Sequence, residues 1–374
     1  MSVGADRADR RVSRDGRLFG FLLPGLVLAA ILSPAAQAQP FGSWLALSPG
    51  YPTSTGFVEV NTASSDLNPT GAFTIEAWVA ISNSTTAEDC RSIAGKNYLQ
   101  AWWIGQCTVS GQPVLRSYLK GSGSLRNGGI IPRGVWTHVA VVFNGTQRLH
   151  YINGELAAQF AETAPLSTSG SKVQIGSDVS WMRTPTGAID EVRLWNVART
   201  TAQIRSAINI PITTPQAGLI AVWSLNTNGN DAVGGHNGTV MGSGVGFLTF
   251  PPSIGCGSST VSALCLQGRF AVAGKWRTNP TPGTPPDGDA SAVLASSTSG
   301  IFWFFSSDNW EVMVKVLNAC SLNNRYWYFS ASTTNVFYRM EVTDVVRGAQ
   351  KIFFNYPGPP APAVTDTQAL ATCP

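Results

Sequence analysis

The chain has 374 residues, long enough for two domains with cores of their own. Charged residues make up only 12%, and 38 Gly, 23 Pro and 12 Trp accompany them, a composition that fits an all-β protein with many turns. The formal net charge is +4, but five of the 25 basic and three of the 21 acidic residues fall in residues 1–38, so the remainder is nearly neutral and no nucleic-acid partner is expected.

Residues 1–38 have the order of a secretory signal. An Arg-rich segment ends at Arg17, an apolar run follows from Leu18 to Leu32, and Ala36-Gln37-Ala38 offers small residues for cleavage before Gln39. The alternative is an uncleaved anchor, but the run is short for a membrane span and contains Pro24 and Gly25. No later segment is apolar enough to span a bilayer. The expected location is secreted, periplasmic or at the cell surface.

Trp44 to Leu47 and Phe57 to Val60 read as short strands. In Phe73-Thr74-Ile75-Glu76-Ala77-Trp78-Val79-Ala80-Ile81 the odd positions share one face, leaving Glu76 and Trp78 on the other. Ser92 to Gly95, Ala101 to Gly105 and Val114 to Leu119 are further strands, and Gly121 to Gly134 reads as a Gly/Ser-rich loop. Trp136 to Phe143 suits the middle of a packed sheet. Arg148 to Glu155 then continues a meander, with Asn144-Gly145 and Asn153-Gly154 as its turns. Val173 to Gly176 and Gly187 to Asn196 are strands, Thr201 to Ile208 is a short helix capped by Thr200, and Leu219 to Leu225 and Asp231 to Val240 close the sheets.

The strings Phe73-Thr74-Ile75-Glu76-Ala77-Trp78-Val79, Trp136-x-His138-Val139-Ala140, Tyr151-Ile152-Asn153-Gly154-Glu155 and Gly187-Ala188-Ile189-Asp190-Glu191-Val192 resemble the laminin-G-like, concanavalin A-type jelly roll. The resemblance covers about residues 43–250. It implies a lectin-glucanase sandwich over 39–250 and says little about function, because one fold hosts many.

Residues 251–264 form a Pro/Gly/Ser-rich linker. From 265 to 374, strands are expected at Phe270 to Trp276, Gly300 to Phe305, Trp310 to Leu317, Tyr326 to Ser330, Phe337 to Thr343 and Lys351 to Asn355. They suggest a second, smaller β-sandwich. It is similar to a module at the C-terminus of secreted bacterial proteins that has no assigned activity. In Phe302 to Phe305 and Tyr326 to Phe329 aromatics alternate onto both faces, so one set is core and the other is open to a protein partner.

All six cysteines lie in the exported part, where an oxidising compartment pairs them. Six allow fifteen connectivities. Local position favours Cys90 with Cys107, Cys256 with Cys265 and Cys320 with Cys373. No Cys/His cluster suggests zinc.

The jelly roll includes β-glucanases, whose carboxylates come from a Glu-x-Asp-x-x-Glu strand; that pattern is missing. Asp190 and Glu191 are adjacent and would point to opposite faces of a strand. No Gly-x-Ser-x-Gly elbow is present. His138 reads as a packed core histidine and His150 as partly exposed. A non-catalytic protein is the expectation. Its partner would be a glycan or other extracellular polymer, with protein–protein adhesion as the alternative and a polysaccharide hydrolase as the third reading.

For a ligand surface the aromatic candidates are Trp102, Trp103 and Trp181, with Arg183 beside the last. Adjacent Trp102 and Trp103 face opposite sides of a strand, so one of them is core. Asp178 would sit at a rim or simply form a turn. The resemblance implies a structural calcium at Asp190, since calcium takes hard oxygen ligands; otherwise Asp190 caps turn amides or pairs with an Arg.

Overall fold

The computed structural model describes residues 42–48, 55–82, 89–119, 124–163, 166–180, 183–249, 253–282, 284–358 and 361–374. Residues 1–38, read from the sequence as a signal, and Trp181 lie outside the described residues.

Two antiparallel sheets make the first sandwich. One runs Glu155–Ala161, Gln147–Ile152, Thr137–Phe143, Phe73–Ile81, Gly187–Trp195, Ser43–Leu47, Val245–Thr249, with Leu219–Trp223 paired to Gly187–Trp195. The other runs Gly238–Gly242, Gly56–Val60, Gln174–Ile175, Cys90–Gly95, Trp102–Val109, Gln112–Leu119, Ser124–Ile130. The period of two in Phe73–Ile81 does what it predicts. Ile75, Ala77, Val79 and Ile81 enter the core between the sheets, where they meet Val58, Ile93, Ile104 and Leu115. This is the jelly roll of the concanavalin A type.

Two more sheets form the second sandwich. One runs Ala263–Leu266, Phe270–Arg277, Phe337–Asp344, Ala349–Asn355, with Gly288–Asp289 paired to Phe270–Arg277. The other runs Ser291–Ser296, Ser299–Trp303, Val312–Ala319, Arg325–Ser332, Val364–Leu370. Phe302, Phe304, Tyr326 and Tyr328 fill the core between them. Trp303, Trp327 and Phe329 alternate onto the opposite face, with Met313 53% exposed beside them. The three disulfides are Cys90–Cys107, Cys256–Cys265 and Cys320–Cys373.

Three sequence expectations change. Residues 124–130, read as loop, form an edge strand on Gln112–Leu119 despite their glycines. The glycine at 128 has a packing cause: a Cβ there would meet His150 Nδ1 at 2.3 Å. His150 is accordingly fully buried rather than partly exposed, with Nε2 2.7 Å from Ser117 Oγ. Finally, the alternation at Asp190 and Glu191 is broken by a bulge, where Glu191 takes φ +49° and both acids are buried.

The sandwiches are packed together. The side of Phe73–Ile81 that points away from the jelly-roll core carries Trp78. Its indole donates to Ile208 O at 2.9 Å and stacks on Phe354 of the second sandwich at 6.4 Å. Trp44, Trp136 and Ile352 join the same cluster. Arg339 Nη1 donates to Trp136 O at 3.0 Å, and Tyr356 OH donates to Asn153 O at 3.0 Å. Arg205 lies 3.5 Å over the Tyr356 ring. The Thr201–Ala207 helix, closed by a capping box between Thr200 and Gln203, supplies Arg205 and leads into Ile208. The back of the eight-stranded sheet is thus covered by helix and second sandwich.

Candidate functional site

Strand pairing puts Trp103 opposite Gly95 on one side and Tyr118 on the other. Period-two alternation sends Trp102 inward: it is part of the core and its Nε1 donates to Leu67 O at 3.1 Å. Trp102 is therefore unavailable to a ligand. Trp103 goes outward, and its indole lies across two glycines. A Cβ at Gly95 would come within 2.8 Å of the ring, and one at Gly105 within 2.3 Å. Its Nε1 donates to Ser92 Oγ at 2.9 Å.

A second layer sits on that indole. Tyr98 meets it edge-on at 5.8 Å and lies 4.9 Å from Tyr118. The Cys90–Cys107 disulfide, Val109 and Leu125 complete this small apolar cluster. Trp103 is only 1% exposed, so the accessible part of the stack is half-buried Tyr98 with its neighbour Leu99, 53% exposed. Burial first, then Tyr118 and Asp178, hold the Tyr98 hydroxyl above its usual pKa, leaving it a neutral donor. Arg116 borders the cluster, with Nε 2.6 Å from Asn127 Oδ1 and Nη1 3.5 Å from Cys90 Sγ.

Asp178 takes a different place from a ligand-contacting rim. It is fully buried, and its carboxylate accepts the backbone N–H groups of Asn97, Tyr98 and Ser180, each at 2.9 Å. It anchors the turn that carries Tyr98. Arg183 and Arg91 share Asp89: Arg91 Nη2 is 2.8 Å from Asp89 Oδ2, and Arg183 Nη1 is 3.5 Å from Oδ1. Sequence reading passed over Tyr98, Tyr118 and Arg116. Tyr118 and Arg116 carried a signal, since they alternate on one face of a strand; Tyr98, in a turn, carried none.

Glu76 centres a buried polar network on the covered back of the other sheet. Arg199 Nη1 donates to Glu76 Oε1 at 2.6 Å and Trp195 Nε1 donates to the same oxygen at 3.0 Å. Arg193 Nη2 is 2.7 Å from Glu191 Oε2. His138 Nε2 is 3.6 Å from Glu76 Oε2, yet burial and then Arg193 and Arg199 hold its pKa well below the usual value, so it stays neutral there. We read that contact as dipolar rather than ionic.

Asp190 is fully buried, and neither carboxylate oxygen makes a hydrogen bond of good geometry, although the Glu191 backbone N–H is close enough to offset part of the burial. Such an acid is neutralised by a cation or by a proton. Among the described residues no group of three His, Cys, Asp or Glu could hold a metal, and Glu191 is committed to Arg193. Calcium at Asp190 would have to take its remaining ligands from backbone carbonyls. Burial first, and Glu191 second, raise the Asp190 pKa well above the ordinary carboxylate value, which favours the proton.

Residues 53–205 match the family described as the concanavalin A-like lectin/glucanases superfamily. No curated protein sequence matches the chain. Among solved structures, it is similar to a Bacteroides ovatus protein ascribed carbohydrate binding, with 20% identity over 56% of this chain and 61% of that one, TM-score 0.42. A heptameric pentraxin from Limulus polyphemus matches at 14% identity over 56% of this chain and 95% of that one, TM-score 0.39. The sialidase CBM40 of Ruminococcus gnavus matches at 13% identity over 41% and 94%, TM-score 0.33. This chain spans under two thirds of the first of these.

Proposed function

We propose that the protein is exported and recognises extracellular glycans, without catalysis, on the outer face of its seven-stranded sheet. One observation carries the reading: the Trp103–Tyr98–Tyr118 stack, laid on glycines and a disulfide. Aromatic faces stack on the C–H surfaces of sugars, and Arg116 and the neutral Tyr98 hydroxyl supply donors beside them. The second sandwich packs on the back of the opposite sheet, through Trp78 and Phe354. Three disulfides fit an oxidising compartment. No helix among the described residues is long and apolar enough to cross a membrane. The test is a glycan array with the wild-type protein and Tyr98→Ala. A polysaccharide bound by the wild type and at least tenfold more weakly by Tyr98→Ala supports the reading; equal binding rejects this face.

A second reading, adhesion through protein contacts, is favoured by the open face of the Ser291–Leu370 half of the second sandwich. Trp303, Phe329 and exposed Met313 form an apolar surface there. Retention of a binding partner by Met313→Lys would count against it.

A further inference from the structure

The seven-stranded sheet is nearly without acids. Across its strands the charged residues are Glu59, Arg91, Arg116 and Arg126. Glu59 is taken by Lys172 Nζ at 2.9 Å and by Gln174 Nε2 at 3.1 Å. Arg91 is committed to Asp89 through two bonds, and Arg126 lies 5.6 Å over the Phe160 ring of the other sheet. In the flanking loops, Asp178 spends its carboxylate on backbone N–H groups, and Asp89 is shared with Arg183.

Arg116 is left over. It shares a strand face with Tyr118, and pairing sets it opposite Gly105 on one side and Asn127 on the other. It lies within electrostatic reach of the Tyr98 hydroxyl, so it borders the aromatic stack. Its acceptors are weak. Nε donates to Oδ1 of exposed Asn127, a neutral group, and Nη1 is 3.5 Å from Cys90 Sγ. Among the described residues no carboxylate pairs with Arg116, and Nη2 has no acceptor. The side chain is half-buried, its bond to Asn127 lies at the surface, and Nη2 is not among the sealed polar atoms. The Nη1/Nη2 edge is therefore open to solvent. Pinning by Asn127 orders the guanidinium in advance, which lowers the cost of binding. A planar fork of this kind matches a carboxylate, which it can hold through two parallel bonds.

We propose that the outer face selects acidic polysaccharides, with a uronate carboxylate on Arg116 and a neighbouring sugar ring on Tyr98. This rests on the outer-face reading and adds the class of glycan to it.

Calorimetric titration of the full chain with galacturonan, glucuronan and alginate oligomers, each beside its carboxyl-reduced neutral form, tests it. At least one uronan should bind, its reduced form should bind at least tenfold more weakly, and the affinity should fall as salt rises. Arg116→Gln removes the charge and keeps a polar side chain. It should lower uronan affinity at least tenfold with the melting temperature unchanged. Arg116→Lys keeps the charge without the fork and should lie between the two. Dextran sulfate beside dextran separates sulfate from carboxylate as the anion. Binding of the sulfated polymer with no uronan bound overturns the carboxylate assignment, as does equal binding of a uronan and its reduced form. Binding lost in Tyr98→Ala but unaltered in folded Arg116→Gln keeps the face and overturns the acidic class. Binding unaltered in Tyr98→Ala overturns the face itself.

Discussion

Arg277 of the second sandwich places Nη2 2.8 Å and 2.9 Å from the two carboxylate oxygens of Glu155 in the first, with both side chains at most 4% exposed. A buried pair of this kind can be worth little net stability, but removing one partner strands the other. The Arg277 guanidinium also lies 4.2 Å over the Phe337 ring. The pair therefore fixes how the sandwiches meet as much as how strongly.

Arg277→Met should cost about 3–5 kcal/mol, the range for breaking one side of a buried pair. The double variant Arg277→Met with Glu155→Leu should recover part of it. Urea unfolding of the four proteins of the cycle measures the coupling. Additive losses would show that the pair does not act as a unit.

Gly128→Ala should destabilise by about 1–3 kcal/mol, the usual cost of overpacking. The new methyl would meet His150 Nδ1, Cβ and Cγ at 2.3, 2.6 and 2.7 Å. That imidazole is held on Ser117 and has nowhere to go. An unchanged urea midpoint would refute the close packing of strand 124–130 on His150.

The local pattern was legible where side chains answer to their own strand. Phe73 to Ile81 showed its inward face by alternation, Thr200 showed its cap, and the cysteine partners followed from position. What could not be read is what depends on residues far apart in the chain. Glu76 looked solitary because Arg199 lies 123 positions away. Trp78 looked like core packing without showing that Phe354 of the other sandwich completes it. Gly128 read as a loop residue, since the ring that requires a glycine there is on another strand. At the candidate site Trp103 was visible and the Tyr98 turn was not, because Asp178 holds that turn from 80 positions away.

Acid should destabilise the protein through His150. Burial first, then nearby Arg148, lower its pKa from 6.5 to about 3. The unfolded chain therefore takes up the proton first. The histidine's contribution is complete above pH 6.5 and is lost as pH falls from there towards 3. At pH 5 the loss is about 2 kcal/mol. Asp190 and Glu191, whose pKa values are raised, act in the opposite direction, so the test is a difference. Unfolding free energies of wild type and His150→Gln at pH 7.5 and pH 5 should show a shallower acid loss in the variant. Parallel profiles would mean that His150 does not titrate differently in the two states.

Asp190→Asn should raise the melting temperature at pH 7 by several degrees. Folded Asp190 is fully buried and kept protonated, first by burial and then by the Glu191 carboxylate beside it. The unfolded chain releases that proton above the ordinary carboxylate pKa. The acid's raised folded value means that it costs more stability as pH climbs from about 4. Asparagine has the same shape and nothing to ionise, so it removes the cost, and the gain over wild type should shrink towards pH 4. Calcium predicts the reverse. A bound cation would stabilise the native wild type by about 2.7 kcal/mol at a hundredfold excess over Kd, and Asp190→Asn would lose that increment. Melting both proteins in calcium and in chelator separates the two. Equal melting of the wild type in both, with a more stable variant at pH 7, is the expected result. A calcium-dependent rise in the wild type that the variant lacks would overturn the protonated-acid assignment and restore a metal at this strand.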